Sequence, residues 1–266
     1  MDLQLTGKVA VVTGGSRGIG KAVARELARE GCDLALVART PETLEATRKE
    51  LADETGRRII GVTVDTSNDD SVRAMAKQVL DAFGRVDILV NSAAAPGGQQ
   101  PPPKLDQIDT ANFDAELHTK VLGYLRCARE FAPSMRSNGW GRIVNISGLA
   151  ARQTGTILGS VRNVAVVALT KNLADELGPH GINVTVVHPG TTRTERTVDV
   201  VAARAEAEGK TIEEVEKVMA AGNSIRHIVD AQEVAYVVTF LCSPKSIAVN
   251  GDTIAAGGGA LRAIHY

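Results

Sequence analysis

The sequence predicts an α/β fold in which one doubly wound parallel sheet carries helices on both faces. Short apolar runs alternate with stretches of helical periodicity along the chain, which is the pattern of repeated βα units. The first apolar run, residues 9–12, leads through glycines at 14, 18 and 20 directly into a helical pattern. No shift in composition marks a second domain. We therefore expect residues 1–266 to form a single domain.

The first half of the chain alternates regularly between strands and helices. Runs rich in valine and isoleucine predict buried strands, and glycines, prolines and capping residues delimit the helices between them. Gly31 and Gly56 end the first two helices, Pro41 opens the second, and Ser67 or Asn68 caps the third. The predicted strands are 9–12, 33–38, 59–64 and 86–90, and the predicted helices are 18–30, 41–55 and 69–83.

The second half continues the alternation around two irregular segments. The first, 92–104, contains two glycines and three consecutive prolines, and the second, 194–221, mixes alanine with charged residues. A long helical region runs from the first segment to about residue 137. The other predicted helices are 161–177 and 231–242, and the strands are 141–147, 182–187 and one near 252–256.

Composition narrows the function classes. The net charge of −1 provides no basic surface for nucleic acid or for a membrane. The N-terminus lacks a signal-peptide pattern, and no apolar run approaches the roughly 18 residues of a membrane span. Cys32, Cys127 and Cys242 are widely spaced, which favours reduced core residues over disulfides or metal ligands. We expect a cytoplasmic protein without a metal site.

The glycine-rich turn after the first strand predicts an anion site. Gly14, Gly18 and Gly20 precede or open a helix whose free N–H groups and positive dipole end point at one spot. Without side chains, the backbone allows a diphosphate to approach closely. The spacing of these three glycines differs from the Gly-x-Gly-x-x-Gly fingerprint. The strand before the turn and the βα units after it nevertheless support a dinucleotide site.

The end of the second strand indicates which dinucleotide binds. A carboxylate there commonly holds the ribose hydroxyls of NAD, whereas this chain has Ala38, followed by Arg39, with Arg17 in the glycine turn. Two guanidinium groups favour a 2′-phosphate, so we expect NADP, with NAD possible. The alternative is that both arginines are simply solvated. Asp65, after the third strand, either accepts from the adenine amino group or caps the next helix.

These motifs resemble those of the short-chain dehydrogenase/reductase family over essentially the whole chain. The landmarks are Thr13-Gly-Gly-Ser-Arg-Gly-Ile-Gly20, Asp65, Asn91-Ser-Ala-Ala94 and Pro189-Gly190 with Thr194. The resemblance implies a Rossmann-like sheet of about seven strands, a small-molecule substrate, a homodimer or homotetramer, and a substrate lid at about 191–226. It also implies NAD(P) contacts from Gly14, Ser16, Arg17, Gly18, Ile19, Gly20, Arg39, Asp65, Thr66, Asn91, Ala93, Asn163, Pro189, Gly190, Thr192 and Thr194.

The resemblance breaks at the residues that the family uses for proton transfer. The family combines a tyrosine phenol, a lysine four residues later that lowers its pKa, a serine and an asparagine. The corresponding positions here hold Gly159, Asn163, Gly148 and Lys120, respectively. Ser147 lies one residue before the serine position, and strand alternation predicts that it points to the opposite face. The three tyrosines, at 124, 236 and 266, form no Tyr-x-x-x-Lys motif.

Three interpretations remain open at this point. The chain is an oxidoreductase that uses other groups, with Lys120 as proton donor, Asn163 on the nicotinamide ribose, and Arg152 or His118 polarising a carbonyl. Alternatively, it binds a nucleotide without turnover, or it is the structural partner of an active homologue. The breadth of apolar residues on helix 161–177 suits a subunit interface, although a core helix would explain it equally well. We favour the oxidoreductase, because the nicotinamide end of the site is retained.

Overall fold

A computed structural model describes residues 1–94 and 102–261 of the chain. Parts of the glycine- and proline-rich segment predicted at 92–104, and the last tyrosine at 266, lie outside these residues. Seven parallel strands form the central sheet in the order β3-β2-β1-β4-β5-β6-β9, which confirms the predicted fold class. These strands are β1 Val9–Thr13, β2 Asp33–Ala38, β3 Ile59–Thr63, β4 Ile88–Asn91, β5 Gly141–Ile146, β6 Ile182–Pro189 and β9 Thr253–Ala256.

Helices cover both faces of this sheet. Apolar side chains of α1, α2 and α9 form one core layer against the strands, and those of α3, α5 and α6 form the other. Burial of both faces explains why the strands are continuous apolar runs and do not alternate. The helices are α1 Gly18–Arg29, α2 Pro41–Thr55, α3 Asp69–Phe83, α4 Thr110–Glu116, α5 Gly123–Asn138, α6 Ile157–Leu177, α7 Glu195–Glu208, α8 Ile212–Ala220 and α9 Ala231–Leu241.

The strand order reverses between β1 and β4, and this reversal positions the site. β1 pairs with β2 on one side and with β4 on the other. The chain therefore leaves β1 and β4 in opposite directions and opens a crevice beyond their carboxyl ends, where ligands bind in sheets of this kind. The glycine turn follows β1, and residues 92–94 follow β4 at the same edge.

Two helical regions differ from the sequence prediction. The long region before residue 138 is divided, because a π-helical segment, Leu117–Leu122, separates α4 from α5. Helix α6 begins at Ile157, one turn earlier than predicted, because the Thr156 hydroxyl accepts the Gly159 N–H at 3.1 Å and caps its N-terminus. Of the two proposed caps of α3, Asn68 is the one observed, since its side chain accepts the Ser71 N–H.

The charged, alanine-rich segment forms a helical hairpin on a two-stranded base. Short strands β7, Thr192–Arg193, and β8, Val229–Asp230, pair in parallel where the segment leaves and rejoins the sheet. Val201, Ala205 and Val215 form a small core between α7 and α8. We call residues 194–228 the helical hairpin. Within the described ranges, none of the helices combines the length and hydropathy needed to cross a bilayer.

Candidate active site

The glycine turn is held tightly against the ends of three strands. The Gly14 N–H donates to the Val37 carbonyl at 2.7 Å, and the Thr13 hydroxyl accepts the N–H groups of Ser92 and Ala93 at 3.0 and 3.1 Å. A Cβ atom on Gly14 would lie 2.9 Å from the Ser92 carbonyl oxygen, and φ is +68° there. The turn therefore excludes a side chain at position 14.

The N-terminus of α1 faces the first turn of the helical hairpin. Gly20 has no space for a side chain, because its Cβ would lie 2.3 Å from the Gly14 carbonyl oxygen. Gly18 has φ +56° and lies beside the Thr194 side chain. Its N–H donates to the Glu195 carboxylate at 2.9 Å. The glycine turn and the segment expected to bind the nicotinamide end thus meet directly, and the contact places a carboxylate at the predicted anion site.

Pro189, Gly190, Thr192 and Thr194 line one side of the same crevice. The Thr192 hydroxyl donates to the Gly190 carbonyl at 3.1 Å, and the Thr197 hydroxyl accepts the Thr194 N–H at 2.9 Å. Gly190 packs closely against Gly257, since its Cβ would lie 3.0 Å from the Gly257 Cα. These contacts fix the backbone that leads from β6 into the hairpin.

The adenosine end combines exposed arginines with an ordered acidic turn. Arg17 and Arg39 are exposed, so their guanidinium groups are accessible to a ligand. Asp65 accepts the Ser67 hydroxyl and N–H at 2.7 and 2.9 Å, and these bonds, together with the positive charge of Arg39, lower its pKa. Asp65 thus forms a local turn, so its alternative role as the cap of α3 is wrong.

Other predicted cofactor residues are buried supports. The Ser16 carbonyl accepts the Thr47 hydroxyl at 3.0 Å, which joins the glycine turn to α2. The Thr66 hydroxyl donates to the Thr119 carbonyl of the π segment at 3.5 Å, and Ile19 packs on the apolar core. The Asn91 amide donates to the Asn145 side chain at 2.9 Å.

The crevice fits a dinucleotide on structural grounds. Gly14 and Gly20 leave no space for side chains beside the helix N-terminus, so backbone N–H groups line it. Within residues 1–94 and 102–261, the buried Asn91 Oδ1 has no hydrogen-bond partner. Buried polar atoms are normally satisfied, so this oxygen at the end of β4 is suited to a ligand donor.

Lys120 and Asn163 form a buried pair beside the end of β5. Lys120 lies in the π segment and is 4% exposed. Its Nζ donates to the Asn163 Oδ1 and to the Ser147 carbonyl, both at 3.0 Å. Burial lowers the pKa of Lys120 from 10.5 to about 8. His118 and Arg152, the two residues predicted to polarise a carbonyl, are not part of this buried pair. His118 is exposed, and Arg152 donates to the Thr253 carbonyl at 3.2 Å.

Ser147 does not point away from this group, so the alternation argument is wrong. Its hydroxyl donates to the Asn163 carbonyl at 3.1 Å, while a Cβ on Gly148 would lie 3.0 Å from the Asn163 amide nitrogen. Both residues therefore face α6. The reason is that β5 ends at Ile146, so strand alternation no longer applies. The Gly148 N–H donates to the His188 Nδ1 at 3.3 Å.

Gly159 is packed by the residue that caps α6. A Cβ on Gly159 would lie 2.6 Å from the Thr156 Cγ2 and 3.0 Å from its hydroxyl oxygen. A side chain at position 159 therefore requires Thr156 to move. The direction in which a residue-159 side chain would leave the helix is thus occupied by Thr156.

The described tyrosines do not supply an acid to this crevice. Tyr124 is 1% exposed, and its hydroxyl donates to the Ile146 carbonyl at 2.9 Å. Burial raises the pKa of this phenol, which makes it a weaker acid than an ordinary tyrosine. Tyr236 is exposed on α9, whose side chains cover the other core layer.

Comparison with known proteins identifies the family. The model of the short chain dehydrogenase family matches residues 8–205. The chain belongs to this family. It is 34% identical over 252 residues to the short-chain reductase protein NovJ of Streptomyces niveus, covering 94% of this chain and 93% of that protein. It is also 34% identical to an A-factor type gamma-butyrolactone 1'-reductase of Streptomyces virginiae, with 96% of each chain covered.

A solved structure of the family shows the same architecture. The L-sorbose reductase of Gluconobacter frateurii, in complex with NADPH and L-sorbose, has a TM-score of 0.94 and 28% identity to this chain. The match covers 99% of this chain and all of the other. The Rossmann-like sheet is therefore that of the family.

Three features in or near the site were not predicted from the sequence. Glu195 lies in a charged stretch, and its contact with the glycine turn depends on tertiary packing that the sequence pattern does not show. Thr156 precedes the predicted start of α6, although a threonine three residues before the glycine is an ordinary capping signal. His227, Asp230 and Glu233 place one ligand atom each within 4.8 Å of one another at the base of the hairpin. They bond to each other there, since His227 Nε2 lies 2.9 Å from the Glu233 carboxylate.

Proposed function

We propose that this chain is an NADP(H)-dependent oxidoreductase that interconverts a small carbonyl compound and its alcohol, through an active site without the family's tyrosine acid. The observation that carries the proposal is the glycine turn, which leaves no space for side chains and meets the hairpin at Gly18, Thr194 and Glu195. A site intact from its adenosine end to Thr194 has the parts that hydride transfer requires.

NADP is the cofactor that the residues favour. Gly14, Gly18, Gly20 and the N-terminus of α1 would bind the diphosphate, and Arg17 and Arg39 the 2′-phosphate. Proteins similar to this chain use it: an NADPH-dependent reductase BacG of Bacillus subtilis is 28% identical over 260 residues. When bound, the nicotinamide supplies or accepts the hydride, and the protein orients the reacting carbon and manages the proton.

The remaining positions complete the proposed site. Asp65, Thr66, Asn91, Ala93, Pro189 and Gly190 would line the cofactor, Thr192 and Thr194 the nicotinamide amide, and Asn163 its ribose. Residues 191–226 act as the substrate lid in this proposal, within a single domain spanning 1–266. We further propose a cytoplasmic homo-oligomer, for which the exposed apolar residues of α6 provide support.

The second candidate is a nucleotide-binding protein without turnover. The packing of Thr156 against Gly159 favours it, since no phenol can be accommodated there without rearrangement. In both cases NADPH binds, so binding alone does not separate the two functions.

The test combines cofactor titration with a turnover assay. Calorimetry on the wild type should give tighter binding of NADPH than of NADH. Because a guanidinium–phosphate bond contributes about 1.5–3 kcal/mol, Arg39→Ala should weaken NADPH binding by about tenfold or more. Binding of NADH should change little. Arg48→Ala, in which a partly buried arginine of α2 that pairs with Glu45 is replaced, is the control.

Turnover is then measured with NADPH and a panel of ketones, aldehydes, sugars and lactones that carry a keto group. Reduction of one class identifies the oxidoreductase. Tight NADPH binding with no turnover across the panel identifies the binding protein, and equal affinities for the two cofactors would contradict the NADP assignment.

A further inference from the structure

We propose that Lys120 is the proton donor of this site and that it replaces the tyrosine acid of the family from the opposite helix. The proposal rests on the oxidoreductase function proposed above. The family pattern places an asparagine on the helix that contains residue 120 and a lysine at position 163. In this chain the two residue types are exchanged, and the structure joins them through a 3.0 Å bond between Lys120 Nζ and Asn163 Oδ1.

The surroundings of Lys120 are unusual for a structural lysine. Lysines are normally exposed or paired with a carboxylate when buried, yet this side chain is 4% exposed. Its two hydrogen-bond acceptors, the Ser147 carbonyl and the Asn163 amide oxygen, are both uncharged. An ammonium group has three N–H bonds. Two are used by these acceptors, which leaves one for a substrate oxygen.

The π segment directs Lys120 towards α6 and the end of β5. π-Helical turns are rare and are frequently found at functional sites. Here two carbonyls of the segment also accept side-chain donors, because His118 O accepts from Arg126 Nη1 at 3.2 Å and Thr119 O accepts from the Thr66 hydroxyl at 3.5 Å. The chain thus supports a non-standard turn whose buried residue is Lys120.

Charged groups on the surrounding elements are paired with other residues. Glu116 of α4 pairs with Arg162 of α6, and Arg126 of α5 pairs with Asp69 at 2.7 Å. On β6, His188 accepts the Gly148 N–H through Nδ1. Among the described residues, none of these groups changes the pKa of Lys120, which is lowered by desolvation alone to about 8. An acid with this pKa can give and regain a proton near neutral pH.

The proton balance of the step is complete. In the reductive direction the substrate carbonyl carbon gains the hydride, and its oxygen gains one proton from the Lys120 ammonium. The carbonyl π bond breaks, the O–H and C–H bonds form, and Lys120 becomes a neutral amine. Asn163 and Ser147 act as positioning residues, because their oxygens hold two N–H bonds of the ammonium. Solvent returns the proton before the next cycle.

The first experiment measures Lys120 in the cofactor-free protein. In protein labelled with carbon-13 at lysine Cε, the Lys120 resonance is assigned by its absence in Lys120→Met. We expect it to titrate near pH 8, well below the range of an ordinary lysine. Titration of Lys120 together with the exposed lysines would overturn the proposal. This measurement does not depend on turnover, so it stands even if the substrate class is unknown.

The second experiment uses the substrate class found in the turnover panel. Lys120→Met should lower kcat by about 100-fold or more, with NADPH affinity changed by less than about threefold. Lys77→Met, on the exposed face of α3, is the control. Wild-type kcat for reduction should fall tenfold per pH unit above about pH 8, because the ammonium form is lost.

The outcomes separate this proposal from the function on which it rests. If Lys120→Met keeps wild-type kcat and the same pH profile, Lys120 is not the donor, but the oxidoreductase stands. Absence of turnover by the wild type contradicts the proposed function itself. Should Lys120→Met fail to fold, the pH profile of wild-type kcat and the activity of Lys120→Arg test the proposal instead. Arginine keeps the positive charge but does not release a proton at these pH values, so an active Lys120→Arg enzyme would overturn the proposal.

Discussion

At the scale of single residues, the buried lysine is the most informative group in the crevice. Lys120 has only neutral oxygen acceptors, and burial lowers its pKa to about 8. A chain that needed only to fill this space would gain stability from an apolar residue. The buried amine therefore lowers the free energy of unfolding, by an amount that depends on pH.

The stability of the protein should rise in alkaline solution because of this residue. The folded state has the lower pKa, about 8, and the unfolded chain the ordinary value of 10.5. Between these values the unfolded state binds more protons, so the free energy of unfolding increases with pH. The total gain is about 3 kcal/mol at most. Denaturant unfolding of the wild type and Lys120→Met between pH 7 and about 10.5 measures it, and parallel curves for the two proteins would exclude the effect.

At the scale of elements, the N-terminus of α6 and the glycine at 159 form one unit. Thr156 caps the helix through the Gly159 N–H, and its methyl group occupies the direction of a Cβ at 159. Restoring the family residues with Gly148→Ser, Gly159→Tyr and Asn163→Lys therefore requires a change at Thr156 as well.

A double-mutant cycle tests this packing. Gly159→Ala should destabilise the protein by about 1–3 kcal/mol through overpacking. Thr156→Ser keeps the capping oxygen but removes the methyl group, so it should recover part of that loss in the double variant. Thermal unfolding of the four proteins gives the coupling energy. Additive effects would show that the two side chains do not interfere.

The contact between Gly18 and Glu195 links the hairpin to the cofactor loop. The carboxylate accepts the Gly18 N–H at 2.9 Å, at the helix N-terminus where a diphosphate would bind. Because like charges repel there, Glu195→Gln should bind NADPH about two- to fivefold more tightly. Glu213→Gln, on exposed α8 of the same hairpin, is the control. Weaker binding by Glu195→Gln would show that the carboxylate supports the bound state instead of competing with it.

The sequence predicted most elements but not how their ends meet. The alternation of βα units predicts the parallel sheet, and Gly31 and Gly56 predict the ends of two helices. These predictions succeed because each depends on a short stretch of sequence. The π segment around Lys120 and the early start of α6 at Thr156 depend on contacts with Thr66 and Gly159, respectively, which periodicity does not show. The orientation of Ser147 was wrong for the same reason, since the strand ends one residue before it.

At the scale of the whole molecule, helix α6 presents an apolar stripe to solvent. Ile157, Val161 and Val164 are 47%, 44% and 50% exposed and lie on one face, at spacings of four and three residues. The other face of the helix is buried against β6 and α5, where Val166 packs with Tyr124. An exposed apolar stripe of this kind is typical of subunit interfaces.

The stripe predicts a homo-oligomer, most simply a tetramer. Light scattering on the wild type should give a mass above that of the 28.0 kDa chain at micromolar concentration. Val161→Glu combined with Val164→Glu should reduce the mass towards the monomer, since like charges would face each other across the interface. Lys171→Glu, further along α6, is a charge-changing control. A wild type of monomer mass would contradict the prediction.

The proposed function depends on hydride transfer by a site without a phenol. The most direct measurement is a single-turnover reaction of the wild type with NADPH deuterated on the transferred position of C4 and a pooled panel of carbonyl compounds. Mass spectrometry of the products detects one deuterium per alcohol formed, even when turnover is slow. We expect deuterium in at least one alcohol with the wild type and much less with Lys120→Met. Bound NADPH that transfers no deuterium to any compound would contradict the proposed function.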